Sequence, residues 1–352
     1  MRLSDIDADP FQERRTGLLR AKCQVLGGVF EFVTESPELL RLVHSAYHGL
    51  PRHRLSAPPQ RMTVRLVLGG RTPGRRRRAI DRRRGGSGEP DPFAMFSAPA
   101  LLCGASPSSA IAVMSAERRS ALIVVPRELL RFPYHVRYEL IEFAVFTLAS
   151  RVQELMPLHA ACVGRGRRGL LLIGDSGAGK STAVLHCALR GLSIVSEDSL
   201  FVAPQPLLAT GAPNFLHVRR ESLRFLEAAD ARLIRRAPTI CRRSGVRKLE
   251  VDLRQRRFRL ASQAPEICGL VVLAARSAGS SPLLVPLASR EARARLQHTQ
   301  PYAASQPGWQ AFAARMRAVP AFELRRGSHP GESALVLAEL LTALAELSDR
   351  PA

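Results

Sequence analysis

Gly174-Asp175-Ser176-Gly177-Ala178-Gly179-Lys180-Ser181 reads GDSGAGKS and satisfies the phosphate-loop pattern G-x-x-x-x-G-K-[S/T]. The run Leu170 to Ile173 before it has the apolar character of a strand, and Ser181 to Arg190 after it has a helical pattern. Gly177 and Gly179 permit backbone angles and a close approach that a side chain would block. Successive N–H groups of such a loop point inward and wrap phosphates. Lys180 supplies a point charge to the β- and γ-phosphates, and the Ser181 hydroxyl is placed for Mg²⁺. Gly174 through Ser181, with Thr182 behind them, are therefore the expected nucleotide-binding residues, and ATP with Mg²⁺ is the expected pair of ligands.

At 352 residues, 46% of them hydrophobic, the chain is long enough for two domains or one large one. No run approaches the length of a spanning helix, and charges fall where a signal peptide needs its apolar segment, so a cytoplasmic protein without a membrane partner is expected. The six cysteines form no C-x-x-C pair, which argues against a zinc site or disulfide framework and for buried small hydrophobes. The formal charge of +22 is carried almost wholly by arginine, since Lys22, Lys180 and Lys248 are the only lysines. A chain-wide arginine bias accounts for it. No aromatic–basic interleaving or finger spacing accompanies it, so a nucleic-acid partner is not expected.

Outward from the loop, the second half alternates strand, loop and helix at close spacing, which argues α/β. Leu158 to Val163 reads as a strand, Leu192 to Val195 as the strand after the loop helix, and Gly269 to Ala274 as a further strand. A helical pattern covers 134–154, with Leu140, Phe143, Ala144, Leu148 and Val152 on one stripe, and a closing helix covers 332–346. In the first half, 21–34 reads as strands around a Gly-Gly turn, and Ser36-Pro37 opens a helix as N-cap and first position. Residues 71–90 are rich in Arg, Gly and Pro and read as a flexible surface insertion. The division expected is 1–130, an α+β region of unassigned role, and 131–348, the nucleotide-binding domain.

Two further features carry chemistry. Glu197-Asp198 ends an apolar strand one helix after the loop, where carboxylates bind Mg²⁺ or act as a base. His159 lies one strand upstream of the loop, placed to orient or couple to Glu197 across neighbouring strand ends. Asn214 to Arg220 lies past the acids: His217 or Arg219 can hold a phosphate or substrate carboxylate, or the segment is an ordinary charged helix start. Arg235-Arg236 and Arg242-Arg243 are candidates for the same task.

Together the segment HAACVGRGRRGLLLIGDSGAGKSTAVLHCALRGLSIVSED resembles the catalytic core of the HPr kinase/phosphorylase family, and more closely the broader group of HPr-kinase-related proteins. The residues that carry the resemblance are His159, Gly174 to Ser181, Arg190-Gly191 and Glu197-Asp198. It extends more loosely over 134–345, and Val319 to Gly327 resembles the late strand that closes such kinase domains. The resemblance implies a phosphate-loop kinase core of the HPr kinase and phosphoenolpyruvate carboxykinase type. It also implies ATP- and Mg²⁺-dependent phosphorylation of a serine hydroxyl on a protein or peptide. In that reading Glu197 is the catalytic base, held near His159, and Asp198 lies by the metal with Ser181. Lys180 stabilises charge on the transferring group.

The chain departs from the family in two places. Glu197 stands where the family has Asp, and the signature E-[I/L]-R-G-x-G is missing, replaced after Asp198 by SLFVAPQPLLATGAPNFLHVRRESLRF. The second departure implies an acceptor other than HPr and no phosphorylase activity. A nucleotide-binding regulatory module without kinase activity and a small-molecule kinase stay open as alternatives, as does self-association into a homo-oligomer.

Overall fold

In the computed structural model, residues 17–69, 94–98, 101–105 and 110–348 are described. They form a mixed α/β fold with three sheets. The proposed flexible insertion 71–90 lies outside the described residues.

The first sheet contains β1 (Leu19–Val25), β2 (Gly28–Thr34), β3 (Arg61–Gly69), β4 (Ala94–Ala98), β5 (Leu101–Ala105), β6 (Ile111–Ser115) and β7 (Ser120–Pro126), in the order β1-β2-β3-β7-β6-β5-β4. The β1–β2 hairpin turns on Leu26 and Gly27, at φ 51° and 77°. Two successive positive φ values match the right-handed twist of the flanking strands. The turn centre is thus Leu26-Gly27, and Gly28 already belongs to β2. Helix α1 (Pro37–Tyr47) follows, its Ser36 hydroxyl accepting from Leu39 N–H, as the cap reading expects. It crosses between the parallel strands β2 and β3.

Helix α2 comprises Pro133–His135, a π-helical stretch Val136–Glu142, and Phe143–Val152. Its apolar stripe, Val136, Leu140, Ala144 and Leu148, packs with Phe30, Phe32, Leu39 and Ile123 in the core of the first sheet. This helix, which the sequence reading counts with the second half, therefore rests on the first.

The second sheet starts with β8 (Met156–His159), β9 (Ala161–Arg165) and β10 (Arg168–Ile173). The single strand expected over 158–163 is divided at Ala160: β8 pairs with a later strand, whereas β9 pairs with β10. After the loop come α3 (Lys180–Leu189), β11 (Ser193–Ser196), β12 (Ser199–Pro204) and β13 (Leu207–Gly211). A three-stranded sheet follows, with β14 (Phe215–Val218), β15 (Thr239–Cys241) and β16 (Arg247–Asp252) in the order β14-β16-β15; α4 (Ala228–Arg235) lies between β14 and β15. Of 214–220, for which a charged helix start is one alternative, Phe215–Val218 is a strand because Leu216 and Val218 alternate into the core, and a 3₁₀ helix begins at Arg220.

The chain then returns to the second sheet as β17 (Arg259–Leu260), β18 (Glu266–Ser277), β19 (Leu284–Pro286) and, after α5 (Ser289–Thr299), α6 (Pro301–Ala304) and α7 (Trp309–Met316), β20 (Ala321–Arg326). Helix α8 (Pro330–Ser348) ends the described chain. The sheet path is β17-β11-β9-β10-β18-β13-β12-β8, with β20 beside β18 and β19 beside β20. Its central strands are apolar on both faces. Leu170, Leu172, Val271 and Leu273 pack with α3 and α8, whereas Leu171, Ile173, Leu270 and Val272 pack with α5 to α7. Alternation in strands covered on both sides accounts for the near-continuous hydrophobic runs.

Of the cysteines, Cys162 and Cys187 are buried as expected, Cys23, Cys103 and Cys268 are partly so, and Cys241 is exposed. Among the described residues no helix is long and apolar enough to cross a membrane.

Candidate functional site

The sharp turn between β10 and α3 is made by residues 174–179. Gly174, at φ 154°, is pressed against β18: a Cβ there would lie 2.9 Å from the Leu273 carbonyl oxygen. Gly179 caps the helix at φ 105° with open space where a Cβ would stand. Asp175, Ser176 and Gly177 are exposed and Ala178 is buried under them. The Ala178 N–H donates to the Asp175 carbonyl at 3.0 Å, and Arg326, from the end of β20, donates to the Gly177 carbonyl at 3.0 Å. Lys180 is 7% exposed, and its Nζ donates to the Gly174 carbonyl at 2.6 Å. Burial lowers its pKa, against the pull of Asp198, Asp175 and Glu197. Ser181 and Thr182 are half-buried at the first turn of α3.

The acids follow β11 directly. Glu197 turns inward and is 7% exposed. Its Oε2 accepts from Ser181 Oγ at 2.9 Å, and its Oε1 lies 3.2 Å from His217 Nδ1. Asp198 turns the other way, and its Oδ1 lies 3.2 Å from His159 Nδ1. The two acids form the bend between β11 and β12, which sends their side chains to different partners. They correct one expectation: His159 meets Asp198, and the histidine on Glu197 is His217. The pairing of β8 with β12 explains this, because His159 sits opposite Ser199, next to Asp198, and the Ala160 N–H donates to the Asp198 carbonyl. Gln300, 2% exposed, clamps the His159 backbone by accepting from its N–H at 2.7 Å and donating to its carbonyl at 3.0 Å.

His217 is buried too, which removes it as an open phosphate ligand. Its Nε2 lies 3.4 Å from Glu250 Oε1. Burial alone would lower the His217 pKa, but hydrogen bonds and charge from Glu197 and Glu250 raise it on balance. Glu197 answers in kind: burial acts to raise its pKa, and His217, Ser181 and Lys248 together hold it below the ordinary value. Glu250 also accepts from Arg137 in a close contact, and Arg137 Nε lies 3.8 Å from Glu142. Glu142 accepts from Asn214 Nδ2 at 2.9 Å, and that amide also donates to the Ala46 carbonyl in α1 at 3.2 Å. Burial raises the Glu142 pKa, with Arg137 opposing. A buried polar chain thus runs Ser181–Glu197–His217–Glu250–Arg137–Glu142–Asn214. Tyr134 and Tyr138 stack on one another at 5.4 Å and present their edges to His217.

Arg137, Glu142 and Glu250 are absent from the sequence reading. Arg137 and Glu142 interrupt an apolar helical stripe, and Glu250 alternates with Leu249 and Val251 on a strand. Charges at such half-core positions are the only signal available, and their partners are far away in sequence. Behind the acids a cavity of about 30 Å³ is lined by Arg137, Tyr138, Glu142, Glu197, Asp198 and His217, among others. A far larger, open concavity, about 1710 Å³, lies over the outer face of the first sheet. It includes no loop or acid-pair residue, so the chemistry points to the smaller site.

No group of three or more His, Cys, Asp or Glu side chains among the described residues is arranged to hold a metal ion. Ser181 with Glu197 offers one hydroxyl and one carboxylate. That donor set suits Mg²⁺, which takes oxygen ligands, keeps several waters and shares phosphate oxygens.

No protein-family model and no curated protein sequence matches the chain. Among solved structures it is similar to the HPr(Ser) kinase/phosphatase from Coxiella burnetii, at 14% identity and a TM-score of 0.29, over 55% of this chain and 91% of that one.

Proposed function

We propose that the chain is a phosphate-loop kinase that uses ATP and Mg²⁺ to phosphorylate a hydroxyl, that of a serine in a protein or peptide other than HPr. The observation that carries this reading is the convergence of the loop helix and the acid pair: Ser181 on Glu197, and Asp198 on His159. The motif resemblance at His159, Gly174 to Ser181 and Glu197-Asp198 supports it.

The roles of the two acids are exchanged relative to the sequence reading. Glu197 is buried, and each of its oxygens has a partner, so it positions the Ser181 hydroxyl, and the two would hold Mg²⁺ when it is bound. The ion, when bound, neutralises charge on the β- and γ-phosphates. Asp198, with its side chain 27% exposed, accepts the proton of the acceptor hydroxyl, and His159 fixes the orientation of its carboxylate. Loop N–H groups and Lys180 stabilise the charge on the phosphoryl group in flight.

Incubation with labelled ATP and an extract of the source cells tests the proposal. Label should move to a protein or peptide with the wild-type protein and not with Lys180→Ala. Tight ATP binding without transfer to any acceptor would leave a nucleotide-binding module instead.

A further inference from the structure

Three cations stand beside the acid pair with no direct ion pair among the described residues. In the three-stranded sheet, Leu216, Val218, Leu249 and Val251 face the α3 core. The opposite face carries His217 and Glu250, which are direct cross-strand partners. Strand alternation puts Lys248 on that same face, two residues before Glu250. Its partner across the β15 pairing is Ile240, so Arg242, two residues on, falls on this face as well. Arg219, two residues after His217 and extended at φ −74°, ψ 143°, completes the group. None of the three makes an ion pair among the described residues, and the Arg242 Nε is buried without a hydrogen-bond partner. Lys248 is half-buried although Arg242 and Arg219 repel it, and it lies within electrostatic reach of Glu197 and Asp198.

Arg219 is exposed and Arg242 and Lys248 are half-buried; Glu197 and Asp198 offset part of the repulsion at Lys248, and an anion in direct contact with all three would offset the rest. Phosphate and carboxylate are the groups that arginine forks and a lysine point charge recognise. In the proposed kinase the ATP phosphates are served by the loop. We propose that Arg219, Arg242 and Lys248 bind an anionic group, phosphate or carboxylate, carried by the acceptor beside the hydroxyl presented to Asp198. The acceptor is then an anion-bearing serine segment: one with an acidic neighbour, a terminal carboxylate or a phosphate ester. This rests on the kinase reading of the same site.

The test is calorimetric titration of inorganic phosphate, and separately of malonate, into protein saturated with Mg²⁺ and a non-hydrolysable ATP analogue, at fixed ionic strength. Wild-type protein is expected to bind at least one of the two. Lys248→Gln and Arg242→Gln should each weaken that binding about tenfold or more, as loss of a charge-assisted contact implies, and Lys248→Arg should restore most of it. Unchanged binding of the nucleotide analogue shows that the variants are folded. Phosphate alone bound indicates a phosphate ester, and malonate bound as well indicates a carboxylate. Binding of neither, or equal binding by wild type and both Gln variants, overturns the proposal. Should wild type fail to bind the nucleotide analogue, the kinase reading falls instead. The same phosphate titration of Lys180→Ala, whose loop has lost its cation, then decides the anion site separately.

Discussion

Glu197→Gln and Asp198→Asn remove one carboxylate charge each from adjacent residues, and the two changes should have opposite consequences. Glu197 is 7% exposed and 3.2 Å from His217 Nδ1. At that distance two unit charges attract by about 5 kcal/mol at an effective dielectric near 20. His217 retains Glu250, and glutamine still offers a carbonyl oxygen to Ser181, so only part of this is lost. Breaking a buried pair from one side typically costs about 3–5 kcal/mol, and with the second carboxylate in place we expect about 2–4 kcal/mol. The Asp198–His159 pair has side chains 27% and 56% exposed. Exposed pairs contribute about 0–1 kcal/mol, so Asp198→Asn should leave stability nearly untouched.

Single-turnover transfer should divide the other way. Loss of a general base costs about 10²–10⁴ in rate, and Asp198→Asn should show that loss with nucleotide affinity retained. Glu197→Gln should lose Mg²⁺-dependent affinity along with rate. The assays are urea unfolding followed by fluorescence, and rapid-quench phosphoryl transfer once an acceptor is in hand. A Glu197→Gln protein as stable as wild type would refute the buried-pair argument. Full transfer by Asp198→Asn would refute its assignment as base.

On the proposed function, Lys180→Ala should weaken Mg²⁺–ATP binding by at least about tenfold, measured by calorimetry, because the loop loses its lysine charge. Gln300→Ala removes two part-buried hydrogen bonds to the His159 backbone, each worth about 0.5–1.5 kcal/mol; transfer should slow while nucleotide affinity holds, and equal rates would refute the clamp. Two histidines should report opposite pH dependences in urea unfolding. His217 is held above the ordinary 6.5 by its carboxylates despite burial, so its contribution is complete below pH 6.5 and lost as pH rises through its folded value. His53 is lowered by burial and bonds Thr210 and the Ala261 carbonyl at 2.8 Å each, so its contribution is complete above pH 6.5 and lost as pH falls. The stability gap between wild type and His217→Gln should therefore close toward alkaline pH, and that for His53→Gln should close toward acid pH.

The loop, its flanking strand and helix, the acid pair and the capped helix α1 were legible in the sequence because each is set by local rules. Gly at positive φ, a cap before Pro37 and an apolar run before a glycine are contiguous signals. The partners of the acids were not legible. Which histidine meets which acid depends on the division of β8 from β9 at Ala160 and on the register of β8 against β12, and neither has a signature in Leu158 to Val163. His217 reads as an exposed charge in the string FLHVRR, yet it is buried because Leu216 and Val218 must face α3. Strand alternation then forces His217 onto the opposite face, where Glu250 and Glu197 meet it.

The buried polar chain gives the first sheet a physical connection to the loop. Charges can be balanced within it: Glu197 and Glu250 are negative, His217 and Arg137 positive, and Glu142 is pushed toward its neutral form. Removal of Glu197, His217, Glu250 or Arg137 upsets that balance in the interior, and its cost is shared among the members that remain. Arg137 and Glu142 sit on the π-helical stretch of α2, whose apolar side belongs to the core of the first sheet. Asn214 ends the chain on the carbonyl of Ala46 in α1. The link from α1 and α2 to Glu197 is thus a buried run of hydrogen bonds and ion pairs, with Arg137 Nε and Glu142 3.8 Å apart at its longest step.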